Sequence, residues 1–484
     1  MFEVLCKGLA KRGHQIDMIS HFPTKKSIVN YTDVVDLSGT RKQIVNNLTI
    51  DVGRQFNGSG TYYIATTFGR QLCELMGCER MQKFIRNPPS DPPYDLVITE
   101  YFGSRCYLGF GPFFNVPLVV AATFVDMTAI NDFMGNPHNY AFYSGCNYDN
   151  PVVDTFSDRL WNFLINVKEL YLFYHYTSDQ TEIMRKYLGQ HLPDINQIER
   201  TVSLALTYGH HSMQGARPMT PAIVEVAGLH VEADKSELTT ELKEWLDSAD
   251  QGMVYFTLGS MLTIETLPHS TLLDFYASFA KISPIKVLMK CANRTKLPHG
   301  LPSNVITSPW IPQVAVLKHR NTRVFITHGG LMGAQEALYY GVPMIGIPVF
   351  ADQLKNVKAL VAKNMAILMH LDDISERSMD AALKAVLHDP KYRESAKKAS
   401  KLFHDRPMSA MDSATYWIEY VIRNGPDSLR TPVANMPWWK LYLVDVFSFL
   451  ITGLAMIVCL LMSLRRLFLR KFRNNDIKFD KKWK

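Results

Sequence analysis

The chain has 484 residues and a mass of 55.2 kDa, which exceeds what one hydrophobic core usually supports, so two domains are expected. Hydrophobic residues make up 47% and charged residues 20%, a balance that excludes a disordered or low-complexity protein. Residues 465–484 hold nine basic and two acidic side chains and so account for the whole net charge of +7. The rest of the chain is neutral, which argues against a nucleic-acid surface.

The chain opens on a helical pattern. Phe2, Leu5, Cys6 and Leu9 recur at helical spacing, and the apolar segment Ile16–Ser20 predicts a strand. No capping residue precedes the helix, and no signal peptide precedes the domain. Because a βαβ unit needs a strand before its helix, we expect the start of the first domain to be missing from this sequence.

Two sets of alternating segments follow along the chain. Short apolar segments alternate with helical stretches as far as about residue 205, and again from residue 253 to about residue 424. Strands separated by helices predict a parallel sheet covered by helices. We therefore expect an α/β protein with a first domain at 1–210, its first strand missing, and a second at 211–424. The polar, proline-bearing residues 425–440 are expected to form a linker.

A membrane-spanning helix is predicted near the C terminus. Residues 446–464 carry no charge, and their length suits a helix that crosses a bilayer. Trp438, Trp439 and Tyr442 precede them, as aromatic residues do at a membrane interface. We expect the span at 441–464 and a cytosolic basic tail at 465–484, with a buried core helix as the alternative.

A cytosolic tail places the preceding residues in the lumen. Lys481 and Lys482 stand fourth and third from the end, as in a signal that returns membrane proteins to the endoplasmic reticulum, so we expect a single-pass protein of that membrane. The seven cysteines show no metal-ligand spacing, and the pairing of any disulfides is left open. Glycosylation sequons, each of which arises easily by chance, agree with a lumenal location at Asn30, Asn47, Asn57 and Asn293.

A glycine turn in the second half has the pattern of a phosphate site. An apolar strand at 324–327 runs into His328, Gly329 and Gly330, and a helix is predicted from Leu331 to Tyr340. Glycines let a ligand approach the backbone, and the free amides at a helix N terminus attract an anion. A tight strand-to-helix turn without a ligand is the alternative.

The residues around this turn extend the pattern. Residues 310–356, WIPQVAVLKHRNTRVFITHGGLMGAQEALYYGVPMIGIPVFADQLKN, strongly resemble the donor-binding signature of the UDP-glycosyltransferase family, which includes the UDP-glucuronosyltransferases. The resemblance extends from RGH at 12–14, through TLGS at 257–260, to the membrane helix and lysine tail. It implies a GT-B fold, in which two Rossmann-like domains face each other across a cleft, followed by one transmembrane helix.

The resemblance also implies a role for each signature residue. Trp310 would stack on the uracil ring, and Gln313 would lie beside the nucleoside. Glu336 would bind the ribose hydroxyls, and Asp352 and Gln353 the hydroxyls of the sugar. Alone, Trp310 reads equally well as a core aromatic residue and Glu336 as a solvated helix residue.

The diphosphate would be bound by His328, Ser260 and the amides from Gly330 to Gly333. Many relatives have a polar residue just after the glycines, whereas Leu331 and Met332 stand here, so contacts at that point must come from the backbone. No Asp-x-Asp metal motif occurs. We therefore expect neither a metal nor a cofactor besides the UDP-sugar donor.

The catalytic base has no counterpart in this sequence. Relatives use a histidine near the start of the first domain to take the proton from the acceptor hydroxyl, and the spacing to RGH would put it before Met1. His14 matches the structural histidine of that element, and His21 is a weak substitute. Glu100 matches the carboxylate that orients the base, although it could equally be a surface residue at the end of a strand.

These observations predict an enzyme that moves a hexose, glucose or glucuronic acid, from UDP to a hydroxyl of a small lipophilic acceptor with inversion. The alternative is a catalytically silent, truncated donor-binding subunit that associates with full-length relatives. A transferase for lipid-linked substrates shares the compartment but not the signature. Either form of the protein could assemble into homo-oligomers or into hetero-oligomers with relatives.

Two stretches bear on the substrates. ISHFPTK and QGARPMTP resemble invertebrate members of the family more than mammalian ones, which favours UDP-glucose over UDP-glucuronate. Aromatic residues of the first half predict a lipophilic acceptor pocket, although core packing would explain them equally well: Tyr101, Phe102, Phe110, Phe113, Phe114, Phe133 and Tyr140.

Overall fold

The structure, a computed structural model, describes residues 1–24, 26–41, 44–56, 60–125, 127–145 and 148–480. The chain divides into two units, Met1–Thr431 and Pro432–Lys484. The sequon residue Asn57, Cys146 and the tail lysines Lys481 and Lys482 lie outside the described residues, so what the sequence predicts for them stays a prediction.

Two parallel sheets form in the first half of the larger unit. The pair consists of β1 (Ile16–Ser20) and β2 (Tyr31–Asp36). The four-stranded sheet has the order β3-β4-β5-β6 and is parallel throughout, with β3 (Val97–Glu100), β4 (Leu118–Ala122), β5 (Leu204–Thr207) and β6 (Ile223–Glu225). The α-helices of this half are Phe2–Lys11, Ile50–Gln55, Gly60–Ala65, Gln71–Glu74, Glu79–Arg86, Phe110–Phe114, Thr128–Met134, Phe156–Tyr176, Gln180–Leu188, Ile195–Glu199 and His211–Gln214.

A six-stranded parallel sheet forms the second half, in the order β12-β11-β10-β7-β8-β9. Its strands are β7 (Met253–Thr257), β8 (Lys286–Lys290), β9 (Val305–Ser308), β10 (Thr322–Thr327), β11 (Met344–Gly346) and β12 (Ala366–Leu368). The α-helices of this half are Leu229–Glu232, Thr240–Asp247, His269–Lys281, Gln313–Lys318, Leu331–Tyr340, Gln353–Val361, Glu376–His388, Pro390–His404 and Ala410–Asn424.

The strand order places the carboxyl ends of β7, β8 and β10 side by side. In an open α/β sheet a ligand binds at such an edge, where neighbouring strands connect in different directions. The strand β10 leads into the helix Leu331–Tyr340, which ends where Gly341 takes a positive φ of 66° ahead of Pro343. The predicted bounds of this helix are confirmed.

The division between the halves differs in detail from the sequence prediction at 210 and 211. The strand β6 lies beyond that point, yet it pairs with β5 of the first sheet. The helix Ala410–Asn424 also returns to the first half, because its Ile418 packs in one hydrophobic cluster with Leu5 and Val119. Sequence periodicity could not show which sheet either element joins.

Side chains of the RGH element, residues 12–14, bind the helix Ala410–Asn424 and hold it against the first half. Arg12 donates from Nε to Glu419 Oε1 at 2.8 Å and from Nη2 to Oε2 at 3.0 Å, and His14 Nε2 lies 3.2 Å from Oε1. These contacts lower the pKa of Glu419 to about 2. His14 therefore has a structural contact, as the resemblance implies.

The smaller unit consists mainly of one long helix, Val444–Asp480, preceded by the short helix Trp438–Leu441. Residues Val444–Lys471 are long and apolar enough to cross a membrane, and the apolar window is fully exposed, which contradicts the buried-core alternative. The helix begins three residues after the predicted 441 and does not end at 464. Its arginines, lysines and leucines are good helix formers, so the helix continues into the basic tail as far as Asp480.

One disulfide joins Cys73 to Cys106, a pairing that the sequence left open. Cys6, Cys78, Cys291 and Cys459 are unpaired thiols among the described residues.

Candidate active site at the carboxyl edge of the second sheet

Two glycine turns meet at the ring of His328. Gly259 and Gly329 both have positive φ angles, 84° and 82°, which L side chains rarely adopt. A Cβ on Gly259 would stand 2.5 Å from Cε1 of His328, and one on Gly330 would stand 2.6 Å from Nε2. The glycines therefore allow the imidazole to lie against both turns. Of the sequence-predicted residues of the diphosphate site, His328 and Gly330 are in contact here.

The helix Leu331–Tyr340 begins at this point. Its N-cap residue, Gly330, makes no side-chain capping bond, so the first amides of the helix have no side-chain acceptor from that residue. Gly333 keeps the first turn narrow, since a Cβ there would stand 3.2 Å from Nε2 of Gln313. Burial lowers the pKa of His328 to about 4, with a further contribution from the charge of Lys290. His328 is neutral at pH 7 and can only donate or accept a hydrogen bond.

Lys290 is the cation closest to this turn that the contacts identify. It ends β8, is only 7% exposed, and donates from Nζ to Gly259 O at 2.7 Å and to Asn46 Oδ1 at 2.5 Å. Its Nζ also lies 5.7 Å from the centroid of the Trp310 ring. Burial lowers the pKa of Lys290 to about 8, so the ammonium form still dominates at pH 7. An ammonium has three protons, and two of them are used by these acceptors.

Trp310 and Ser260 lie on the exposed side of the same edge. Trp310 is 60% exposed, a large area for an indole ring, so it is not the core aromatic residue of the alternative interpretation. Its carbonyl accepts a hydrogen bond from the hydroxyl of Ser308 at 2.8 Å. Ser260 is exposed, and its carbonyl accepts from the amide of Asn46 at 2.9 Å.

A buried hydrogen-bond network orients Glu336. Gln313 donates from Nε2 to Glu336 Oε2 at 2.6 Å, and its own Oε1 accepts from Tyr255 at 3.3 Å. The other carboxylate oxygen lies 3.0 Å from Nε2 of His230, whose Nδ1 lies 2.7 Å from the hydroxyl of Tyr208. Glu336 is 7% exposed, which contradicts the interpretation as a solvated helix residue. Each carboxylate oxygen can accept two hydrogen bonds and has one partner here, so capacity for a further donor is left.

Asp352 and Gln353 follow a residue in a strained conformation. Ala351 has a φ of 57°, which is uncommon for a residue with a Cβ and typical of functional turns. Asn356 donates from Nδ2 to Asp352 Oδ2 at 2.7 Å and to Gly329 O at 3.1 Å, so this turn is fixed to the glycine turn. Burial raises the pKa of Asp352. Gln353 Oε1 accepts from the amides of residues 349 and 350, at 2.8 and 3.0 Å, and thereby holds the turn itself.

Asp352 also borders a pocket between the two halves of the larger unit. The pocket has a volume of about 150 Å³. Phe124, Val125, Phe142 and Tyr143 of the first half line it, opposite Asp352 and its neighbours on the helix Gln353–Val361. Lys355 of that helix donates from Nζ to the carbonyls of residues 144 and 145, at 2.8 and 2.6 Å. The two halves therefore meet where apolar side chains face a carboxylate.

The aromatic residues predicted to line the acceptor pocket are divided between the core and the surface. Tyr101, Phe110 and Phe133 are buried in the hydrophobic core of the first half, which is the alternative that the sequence left open. Phe102 stacks on Phe124 of the pocket with ring centroids 5.2 Å apart.

Glu100 ends β3 in the first sheet and is exposed. Although the residue is exposed, desolvation of its carboxyl raises the pKa of Glu100. No hydrogen bond or ion pair joins the side chain of Glu100 to a residue of the donor signature among the described residues. His21 follows β1 in the separate two-stranded sheet. The role of Glu100 stays a prediction.

Comparisons with known proteins settle the family. Residues 72–479 match the family described as UDP-glucoronosyl and UDP-glucosyl transferase. The chain belongs to this family. UDP-glucosyltransferase 2 of Dactylopius coccus is 34% identical over 93% of this chain and 86% of that protein. UDP-glucuronosyltransferase 2C1 of Oryctolagus cuniculus is 37% identical over 66% of this chain and 62% of that protein.

Solved structures show the fold. The glycosyltransferase of kitacinnamycin has a TM-score of 0.52 and 16% identity and covers 86% of this chain and 94% of its own. The glycosyltransferase VinC, solved in complex with DTDP, has a TM-score of 0.54 and 15% identity and covers 82% of this chain and 88% of its own. The GT-B fold predicted from the sequence is confirmed. As a UDP-glycosyltransferase, the chain is an enzyme that transfers a sugar from a UDP-sugar.

Sequence reasoning missed three residues of this candidate site in the UDP-glycosyltransferase. Lys290 could have been found, because a lysine ending a buried strand stands at the edge where neighbouring parallel strands also end. His230 and Asn46 gave no such signal. They reach Glu336 and Lys290 from segments 106 and 244 positions away along the chain, a proximity that only the fold creates.

Proposed function

We propose that this enzyme transfers glucose from UDP-glucose to a hydroxyl of a small lipophilic acceptor with inversion at the anomeric carbon. The preference for glucose is supported by the relative named UDP-glucosyltransferase 2, which matches 93% of the chain. The lipophilic acceptor is supported by the aromatic and aliphatic lining of the pocket beside Asp352. Glucuronic acid is the second donor to test.

The observation on which the proposal depends is the convergence of Gly259, His328, Gly330 and Lys290. Amides at a helix N terminus, a neutral imidazole and a buried ammonium favour an anion. We assign the diphosphate to this position, with Ser260 and the helix turn as far as Gly333 as further donors. These groups stabilise the negative charge that develops on the departing UDP.

The remaining roles follow from the neighbours of this position. Trp310 offers an exposed aromatic face for uracil, with Gln313 beside the nucleoside and Glu336 accepting from the ribose diol. Asp352 and Gln353 stand between the diphosphate position and the pocket, where the sugar would lie. Gln353 has an amide group left to donate, since its oxygen is already used.

Protein groups would neutralise the diphosphate, so we propose that no divalent ion takes part. Transfer measured in excess EDTA is expected to equal transfer in added magnesium, because Lys290 and the helix amides supply the positive charge. A rate that falls with EDTA and returns with magnesium would contradict this proposal.

We assign to Glu100 the orientation of a histidine base that accepts the acceptor proton. The second candidate function is a donor-binding subunit without turnover that associates with full-length relatives. We propose that the enzyme resides in the endoplasmic reticulum membrane, with Met1–Thr431 lumenal and glycosylated and the basic tail cytosolic. A detoxifying role would follow from the acceptor class.

Calorimetry on the full chain with UDP, followed by assays with UDP-glucose, UDP-glucuronate and a panel of phenols, tests the proposal. We expect UDP to bind and glucose to be transferred. Binding without turnover would support the donor-binding subunit. If the protein has no affinity for UDP, the assignment of the donor site to the carboxyl edge of the second sheet is wrong.

A further inference from the structure

Residues 44–55 lie in the first half of the chain but pack into the second. Leu48 pairs with Leu262 in an isolated parallel bridge, and its carbonyl accepts from the amide of Thr263 at 3.0 Å. Leu48 and Ile50 are buried in a hydrophobic cluster whose other buried members all belong to the second half. We call residues 44–55 the crossing segment. Backbone hydrogen bonds and burial fix this segment to the second half.

Asn46 of the crossing segment contacts three parts of the candidate donor site. Its backbone amide donates to Ser260 O at 2.9 Å. Its side chain donates from Nδ2 to Pro309 O at 3.1 Å and accepts at Oδ1 from Lys290 Nζ at 2.5 Å. Pro309 directly precedes Trp310 in the chain. One residue of the first half therefore joins the lysine, the serine turn and the turn that carries the exposed indole ring.

These contacts require an asparagine side chain. The carbonyl of Pro309 can only accept a hydrogen bond and the ammonium of Lys290 can only donate one, so the two ends of the Asn46 amide cannot be exchanged. Asn46 also has a φ of 52°, a left-handed conformation that asparagine adopts more readily than most residues with a Cβ. Backbone conformation and side-chain chemistry therefore both suit asparagine at this position.

The contact with Asn46 determines where the Lys290 ammonium points. Gly259 O and Asn46 Oδ1 accept two of its three protons, and two fixed acceptors define the direction of the third. The charge of Lys290 acts on His328, so the ammonium is within electrostatic reach of the position assigned to the diphosphate. An amide oxygen orients the ammonium without neutralising it, and the charge is left for an anion.

We propose that Asn46 is a positioning residue of the donor site, which directs the Lys290 ammonium toward the diphosphate and holds the turn that carries Trp310. The inference rests on the proposed function. All the donor-binding residues predicted from the sequence lie in the second half, whereas Asn46 is contributed by the first half. Binding of the nucleotide therefore depends on both halves of the larger unit.

Calorimetry on the full chain in detergent, with UDP and with uridine, tests this role. The ratio of the uridine Kd to the UDP Kd measures what the diphosphate contributes. In Asn46→Asp the ratio should fall about tenfold or more, because the new carboxylate pairs with Lys290 and repels the diphosphate. In Asn46→Gly, which tolerates the positive φ, the ratio should fall about threefold, because the ammonium loses one fixed acceptor. Uridine should also bind more weakly to both variants, since neither can donate to Pro309.

The pH dependence of UDP affinity is a readout that a purely structural role of Asn46 would not change. Burial lowers the pKa of Lys290 to about 8, and Glu265 and Cys291 act in the opposite direction. A carboxylate at position 46 would favour the ammonium form further. The decline of UDP affinity at high pH should therefore begin about one pH unit higher in Asn46→Asp than in the unchanged protein.

Asn364 provides the matched control. It has a φ of 55° and is exposed, and no hydrogen bond joins its side chain to a donor residue within the described part of the chain. Asn364→Asp and Asn364→Gly should keep both the ratio and the pH dependence. A ratio that falls equally in the Asn364 variants would overturn the inference, because an effect of this kind would not be specific to position 46.

The two hypotheses fail in different ways. If UDP binds but the ratio is unchanged in both Asn46 variants, Asn46 does not position Lys290 and the inference alone is wrong. If uridine binding is unchanged in both, Asn46 does not hold the turn that carries Trp310. If the unchanged protein binds neither UDP nor uridine, the proposed function is wrong and the inference is wrong with it.

Discussion

At the residue scale, Lys290 links more parts of the candidate site than any residue that the sequence singled out. It contacts the Gly259 turn, the Trp310 ring and Asn46, and its charge acts on His328. The signature residues Trp310 to Gln353 could be nominated from the sequence because a contiguous pattern contains them, and their roles stay predictions. His230 gave no such signal, because its proximity to the site depends on a contact across the chain, whereas Lys290 was marked only by its place at the end of a buried strand.

Replacing Lys290 tests its assignment to the diphosphate. Lys290→Met should weaken UDP binding about tenfold or more, since a charge-assisted hydrogen bond is worth about 1.5–3 kcal/mol, and should leave uridine binding unchanged. Lys286→Met is the matched control in the same strand, because Lys286 bonds to the carbonyl of Trp245 instead. Calorimetry measures both ligands.

The same lysine predicts a pH dependence. Its pKa of about 8 means that UDP affinity should fall as the pH rises above about 8, where the ammonium loses its proton. The Lys290→Met variant should lack this decline. A parallel decline in the variant would show that another group is responsible.

Asp352 can be tested more cleanly than Gln353. Asp352→Asn keeps an oxygen for the amide of Asn356 but removes the charge, so transfer should fall at least a hundredfold while UDP affinity changes less than threefold. Gln353→Ala would instead leave two backbone amides unpaired and disturb the turn. Loss of UDP affinity in Asp352→Asn would contradict the sugar assignment.

At the element scale, the sequence predicted individual segments better than their partners. The helix Leu331–Tyr340 and the strand β1 have their predicted bounds, because glycine, proline and apolar periodicity mark their ends locally. The membership of β6 and of the helix Ala410–Asn424 was not predictable, since hydrophobic patterns do not specify which sheet an element packs against.

The contact between Arg12 and Glu419 predicts a measurable effect of pH on stability. The folded pKa of Glu419 is lowered from 4.5 to about 2, so its contribution is present above pH 4.5 and declines as the pH falls toward 2. Glu419→Gln should lower the free energy of unfolding by about 1 kcal/mol at neutral pH, and the difference should shrink below pH 4.5.

Urea unfolding in detergent at several pH values measures this difference. Glu394→Gln, an exposed carboxylate on the helix Pro390–His404, is the control and should show no such trend. If the difference in free energy of unfolding between Glu419→Gln and the unchanged protein is constant with pH, packing and not charge accounts for it.

At the scale of the whole molecule, the parallel sheets and the terminal apolar helix were predictable from composition and alternation. The pocket and the exposed helix Phe156–Tyr176 were not, because the aromatic residues of the first half are divided between core and surface by contacts that the sequence does not display. Tyr101 and Phe133 are core residues, whereas Phe142 lines the pocket.

Protease protection tests the proposed orientation. In sealed microsomes, added protease should remove an epitope placed after Lys484 and leave the unit Met1–Thr431 intact, because the positive charges of 465–484 hold the tail on the cytosolic side. Detergent should then expose the protected unit to digestion. Loss of the large unit before detergent is added would reverse the proposed topology.

The return of the helix Ala410–Asn424 to the first half limits how this enzyme can be dissected. The buried Ala414, Ile418 and Val421 lie in the same cluster as Leu5 and Leu9, so that layer is built from both ends of the polypeptide. A single cut near residue 210 would put Leu5 and Leu9 on one fragment and the helix Ala410–Asn424 on the other, so neither fragment would contain the complete layer. Co-expression of two overlapping pieces, rather than isolation of either lobe, is therefore the route by which the halves could be studied apart.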